Sequence, residues 1–190
     1  GGVLNNLSGA ALNLNSSAAT VVTGSGTAAL NNAGTINQLA TGSHEVSLGA
    51  SGAFTNTGTV NVQAGTFSVG TAGAHTGIFN VSSGATLASR TYGITFGTGS
   101  SLTGAGSLSV ESGTVNVLGD YSLSGSPSVS GGTLNFQPTN QVSLGAFTAS
   151  SGSYTWGDGV SFASYTNSGS TSVFVGNTSA TNLTLSSGTL

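Results

Sequence analysis

Few side chains here could do acid–base or metal chemistry: four carboxylates (Glu45, Glu111, Asp120, Asp158), one arginine (Arg90) and two histidines (His44, His75) in 190 residues. His44 and Glu45 are neighbours in "TGSHEVSLG". In extended chain they point to opposite faces, whereas an acid–base pair must reach one substrate atom together. They are read as a solvated turn. His75, in "TAGAHTG", is read as part of a glycine-rich turn without a local partner. A metal held by the two histidines would need a third ligand and a fold that joins them. Hydrolysis of a glycosidic bond needs two carboxyl groups about 5 to 10 Å apart. Glu111 and Asp120 are the nearest pair in sequence, but they fall in separate repeat units and nothing marks them as partners. Asp158 in "WGDGVSF" could offer oxygen to calcium, but a calcium site takes six to eight oxygens, so this stretch is read as a turn. The expectation is therefore no enzyme, no metal and no cofactor.

Composition narrows the partners. Charged residues make up 3% of the chain, against about a quarter in an ordinary soluble domain. One cation cannot neutralise several phosphates, so nucleic acid is not an expected partner, and an anionic bilayer surface is disfavoured for the same reason. No apolar run approaches the roughly 18 residues of a membrane span, and membrane insertion is not expected. Cysteine is absent, which removes disulfides and thiolate zinc sites and fits a bacterial surface protein better than a small eukaryotic secreted scaffold. Yet 36% of the residues are hydrophobic, more than disordered chains of low charge usually carry, so these side chains are expected to be buried in something regular.

The regularity is a repeat. Taking the glycine of a recurring unit as anchor gives Gly9, Gly34, Gly58, Gly84, Gly113, Gly132, Gly152, Gly169 and Gly188, with gaps of 25, 24, 26, 29, 19, 20, 17 and 19 residues. In four units the glycine is followed by Thr-(apolar)-Asn: Thr35-Ile36-Asn37, Thr59-Val60-Asn61, Thr114-Val115-Asn116 and Thr133-Leu134-Asn135. Apolar residues alternate inside units, as in Val60 with Val62, Leu108 with Val110, Val115 with Val117 and Leu134 with Phe136. Such alternation marks half-buried strands, and the Asn-Thr-Gly, Ser-Ser-Gly and Ser-Gly-Gly clusters between them mark turns. No stretch has a helical apolar period.

Two or three short strands per unit, with polar turns and no helix, describe one coil of a parallel β-solenoid. The prediction is an all-β rod of about eight loose coils of 17–29 residues, roughly 40 Å long at about 4.8 Å per coil. In-register stacking also explains the missing charge, because like charges repel where neutral Asn and Thr can pair in ladders. Both ends break off inside a unit without the polar cap a solenoid normally carries. That predicts a segment of a longer rod, with neighbouring copies or flanking repeats of the same protein as partners, or else a filament or surface-layer subunit. Four aromatic residues lie in residues 1–95 and nine in 96–190, and the gaps shorten after Gly113. The expected organisation is solenoid repeats over 1–150, with 151–190 continuing the solenoid or forming a divergent β end region.

"FTNTGTVNVQAGTFSV" and "LSVESGTVNV" resemble the Gly/Ser/Thr-rich repeats of bacterial filamentous-haemagglutinin-like adhesins and autotransporter passenger domains. The resemblance covers essentially the whole chain and rests on composition and period. It implies a right-handed parallel β-helix on the outside of a bacterial cell, used in adhesion or matrix, and brings no catalytic residues with it.

Two surfaces are candidates for binding. Stacked on one outward face, Thr35, Asn37, Thr59, Asn61, Thr114, Asn116, Thr133 and Asn135 would form a flat array like those of ice-binding solenoids, or a purely structural ladder. Tyr154 and Trp156 in "SYTWGDG" share a strand face. If exposed, they would suit a glycan or a host or cell-surface molecule; if inward, they fill the core.

Overall fold

The computed structural model describes residues 1–17 and 19–190 and, at Thr20 and Val21, the backbone alone. The chain folds as the expected right-handed parallel β-solenoid, with about nine turns. In each of the first six turns three short strands go to three different sheets, A, B and C. The third turn is typical: Ala53–Asn56 lies in sheet A, Thr59–Val62 in sheet B and Thr66–Val69 in sheet C.

Residues one turn apart pair in register, and this turns the alternating sequence into continuous columns. Along sheet B, Leu12, Ile36, Val60, Phe79, Leu102 and Tyr121 stand one above another and face inward. From Ile36 to Tyr121 this column is at most 1% exposed. Sheet A contributes Ile94, Val115, Leu134 and Tyr154 in the same manner. The buried side chains form one cluster reaching from Leu14 to Tyr165. A single coil could not bury this apolar face, so the stack is the folding unit.

The turns shorten along the rod. Register partners lie 26 residues apart at Val3 and Ala29, 24 at Ala29 and Ala53, 19 at Asn56 and His75, and 18 at Val142 and Val160. The expected range was 17–29 in about eight coils. The difference arises because the recurring glycine changes corner: Gly34 and Gly58 precede sheet B strands, Gly84 a sheet C strand, and Gly113, Gly132 and Gly152 sheet A strands. The gap of 29 between Gly84 and Gly113 therefore contains a full turn and part of another.

Beyond the sixth turn the short strands of sheets B and C give way to long ones. Val142–Ala149, Val160–Phe174 and Ser179–Thr189 are all joined to sheet A. Val160–Phe174 pairs through its first half with Val142–Ala149 and through its last four residues with Ser153–Trp156, so it bends around a corner. Asn167 makes the bend. Fully buried, its Oδ1 accepts from the Ser170 N–H at 3.0 Å, and its Nδ2 donates to the Thr189 carbonyl at 2.8 Å. Parallel pairing from Ser153–Trp156 back to Thr133–Phe136 makes residues 151–190 continuous with the turns before them.

Close stacking leaves no room for a side chain at some of the corners. At Gly132, with φ of 81°, a Cβ would lie 2.3 Å from the Gly113 carbonyl oxygen in the turn below. Gly132→Ala is therefore expected to lower unfolding stability by at least about 1–2 kcal/mol from the left-handed backbone alone. The clash adds to that, and urea unfolding reads the sum.

Candidate functional site

All eight ladder residues face outward and are at least partly exposed, but they form two arrays on two sides of the rod. Thr35, Asn37, Thr59 and Asn61 belong to sheet B, whereas Thr114, Asn116, Thr133 and Asn135 belong to sheet A. The single face expected from the sequence is corrected on this point, again because the Gly-Thr-x-Asn unit moves from one corner to another. In sheet B the amides of Asn37, Asn61 and Asn80 each donate to the Oδ1 of the preceding turn's Asn, all at 2.8 Å, starting from Asn13. In sheet A, Asn135 donates to Asn116, which donates to the Thr95 hydroxyl at 3.0 Å. The amide groups are thus used up between turns.

A second amide ladder lies inside. Asn6 donates to Asn32, and Asn32 to Asn56, both at 2.6 Å, and all three are buried. The sequence reading missed it, although Asn stands two or three residues before the unit glycine in each of the first three turns: Asn6 before Gly9, Asn32 before Gly34, Asn56 before Gly58. It ends at Asn56, whose Nδ2 donates to the Ile78 carbonyl at 3.3 Å; in the next turn of the column stands His75, whose Nδ1 accepts the Asn56 backbone N–H at 3.1 Å.

Both histidines are corrected from solvated turns to core. His44 is 1% exposed and points inward from a sheet C strand, while Glu45 beside it points outward, the alternation expected of extended chain. His75 is fully buried in sheet A, its ring 5.0, 5.2 and 5.5 Å from those of Phe54, Phe79 and Phe96. Desolvation lowers its pKa to about 4.

The charged residues meet in a way the sequence did not suggest. Arg90 Nε lies 3.0 Å from Glu111, and its Nη1 lies 3.6 Å from Glu45, on the outer side of sheet C. The Glu45 carboxylate reaches across Gly70, where a Cβ would sit 2.2 Å from its Oε1. The cation is shared by carboxylates of two other turns and acts as a staple. Glu111 is thereby drawn to Arg90, away from Asp120, which opens a sheet B strand. Among the described residues no three His, Asp or Glu side chains gather as a metal centre.

Tyr154 and Trp156 share a face as expected, and that face is the inner one. Trp156 is 0% and Tyr154 2% exposed, so neither offers a ring to a glycan. They stack at 5.4 Å amid Phe136, Phe147, Phe162 and Tyr165, and Trp156 Nε1–H donates to the Tyr165 hydroxyl at 3.1 Å. Burial, helped by the neighbouring Tyr165, pushes the Tyr154 phenol up to about 12.

One open concavity among the described residues is a groove of about 760 Å³ along the corner that leads into the long strands of the last three turns. Thr139, Asp158 and Asn177 line it at 19-residue intervals, and Asp120, 19 residues before Thr139, lies next to it in the turn below. The Thr139 hydroxyl donates to Asp120, and the Asn177 N–H donates to Asp158 Oδ1 at 2.8 Å. That spacing was the sequence signal for this corner, hidden because the four residues are not of one type.

Two measurements follow from this geometry. Asn32→Ala strands the buried Asn56 Oδ1 and takes an acceptor from Asn6 Nδ2, and should cost about 1–3 kcal/mol, whereas at the exposed Asn37 water replaces the lost partner and Asn37→Ala should cost less than about 1 kcal/mol. For His75, the unfolded chain takes up a proton below about pH 6.5 while the folded one does not until about pH 4. Its contribution is thus complete above pH 6.5 and declines between 6.5 and 4, by on the order of 3 kcal/mol, before levelling. Denaturant unfolding across pH should show that decline, and His75→Phe should flatten it. No protein-family model, curated protein or solved structure matches this chain.

Proposed function

We propose that this chain is a non-enzymatic structural and adhesive β-solenoid segment of an extracellular bacterial surface protein or matrix fibre. The observation that carries the reading is the use of polar groups between turns. Four asparagines of sheet B, three of the interior and Asn116 with Asn135 bond along the rod, and the one arginine is held by two carboxylates. Side chains spent this way give a stiff spacer whose length is set by the number of turns. Its work is geometric, to hold something at a distance, and its sparsely charged surface, with a net charge of -3, does little to steer charged neighbours at long range.

In this reading the partners are flanking repeats or neighbouring copies. They would cover the apolar side chains exposed in the first and last turns, among them Leu4, Leu7, Leu183 and Leu185. A second reading, a self-assembling filament, draws on the same exposed side chains. Turn length weighs against it: a copy joined head to tail would set a turn of 18 residues, as between Ser153 and Thr171, against one of 26, as between Val3 and Ala29. Small-angle scattering over a concentration series separates the two. A particle roughly 40 Å long, the height of nine turns at about 4.8 Å, should persist unchanged at every concentration. Growth into filaments would overturn the spacer in favour of the subunit.

A further inference from the structure

We propose that the groove at the corner of the last three turns binds a neutral oligosaccharide; this deepens the adhesive side of the function proposed above and rests on it. The groove is built from three stacked corners, residues 137–141, 157–159 and 175–178, and so runs along the rod axis. At about 4.8 Å per turn its floor extends about 10 Å, enough for a short run of linked sugars. Gly159 lines it with φ of 76°, a left-handed conformation that a side-chain-bearing residue rarely adopts.

The polar groups facing the groove differ from those of the ladders in being unspent. The side-chain amides of Gln141 and Asn177 are exposed and make no hydrogen bond, and neither do the hydroxyls of Ser143 and Ser179. Asp158 gives Oδ1 to the Asn177 N–H at 2.8 Å and keeps Oδ2. Amides supply donors and acceptors side by side and the carboxylate oxygen accepts, a set that complements adjacent sugar hydroxyls.

Charge selects among ligands. The charged residue lining the groove is Asp158, with Asp120 behind the lining residue Thr139, while Arg90 is engaged by Glu45 and Glu111 on sheet C. Phosphorylated, sulfated or uronic acid chains would meet only like charge. A divalent cation would find one free carboxylate, far short of the oxygens it needs. No aromatic ring lines the groove, so recognition falls to hydrogen bonds, with modest affinity per site.

The test is an NMR titration of the intact chain, following the Gln141 and Asn177 side-chain amides, with cellohexaose, xylohexaose, mannohexaose and maltohexaose and with hexagalacturonate as the acidic counterpart. At least one neutral hexamer is expected to shift both amides. Gln141→Ala combined with Asn177→Ala should weaken that binding at least about tenfold, since each variant removes a hydrogen-bonding partner. Its melting temperature should stay unchanged, because both side chains are exposed and unbonded. Absence of shifts with all four neutral hexamers at millimolar concentration overturns the proposal. So does binding that the double variant leaves intact, or tighter binding of hexagalacturonate. Each of these outcomes leaves the spacer reading standing, which fails separately by filament growth in scattering.

Discussion

Parallel strands stacked in register one turn apart are the constraint on which everything else in this molecule depends. At about 4.8 Å, each side chain has as its nearest non-bonded neighbour the side chain at the same position of the next turn. Apolar residues tolerate that everywhere inside, and amides tolerate it by passing a hydrogen bond along the column. Charges do not, because like would sit on like. The chain's one cation is accordingly placed where carboxylates of other turns can reach it, at Arg90 between Glu45 and Glu111.

One inner column of sheet A shows how the constraint is met as the rod narrows. Along the rod it reads Asn6, Asn32, Asn56, His75, Phe96, Val117, Phe136 and Trp156, and Phe174, which follows in register, is exposed. Amides bonded to one another fill the wide turns, and rings, with Val117 among them, fill the narrow ones. His75 is the hinge between the two chemistries: it follows the last amide of the column, its Nδ1 accepts the Asn56 backbone N–H, and its ring packs against Phe54, Phe79 and Phe96. The change falls where the turn shortens from 24 to 19 residues. The excess of aromatics in the second half of the chain is the same event seen in composition.

What could be read beforehand follows from what alternation encodes. Val60 with Val62 or Leu134 with Phe136 announces a strand with one buried face, and the repeat announces a stack. The stack's columns were harder, because similar Gly-Thr-x-Asn units occupy corners of different sheets, so Thr59 and Thr114 look like ladder neighbours and are not. His44 looked solvated beside the charged Glu45, and His75 looked like part of a turn in its glycine-rich stretch; the burial of their rings depends on facing residues more than twenty positions away or in other sheets, which local sequence does not encode. For the groove at Gln141, Asp158 and Asn177, the sequence held only an interval of 19 between unlike residues, without repetition of type to reveal it.

The central claim is the register: which residues lie above which. Because the chain has no cysteine, paired cysteines can be introduced without background. A short bis-methanethiosulfonate crosslinker should join Thr35→Cys to Thr59→Cys, and Thr114→Cys to Thr133→Cys, since each pair lies in register in neighbouring turns. It should fail with Thr59→Cys and Thr114→Cys, which lie in different sheets. Efficient crosslinking of that last pair, or failure of the first two, would contradict the stacking from which the ladders, the staple and the groove all follow.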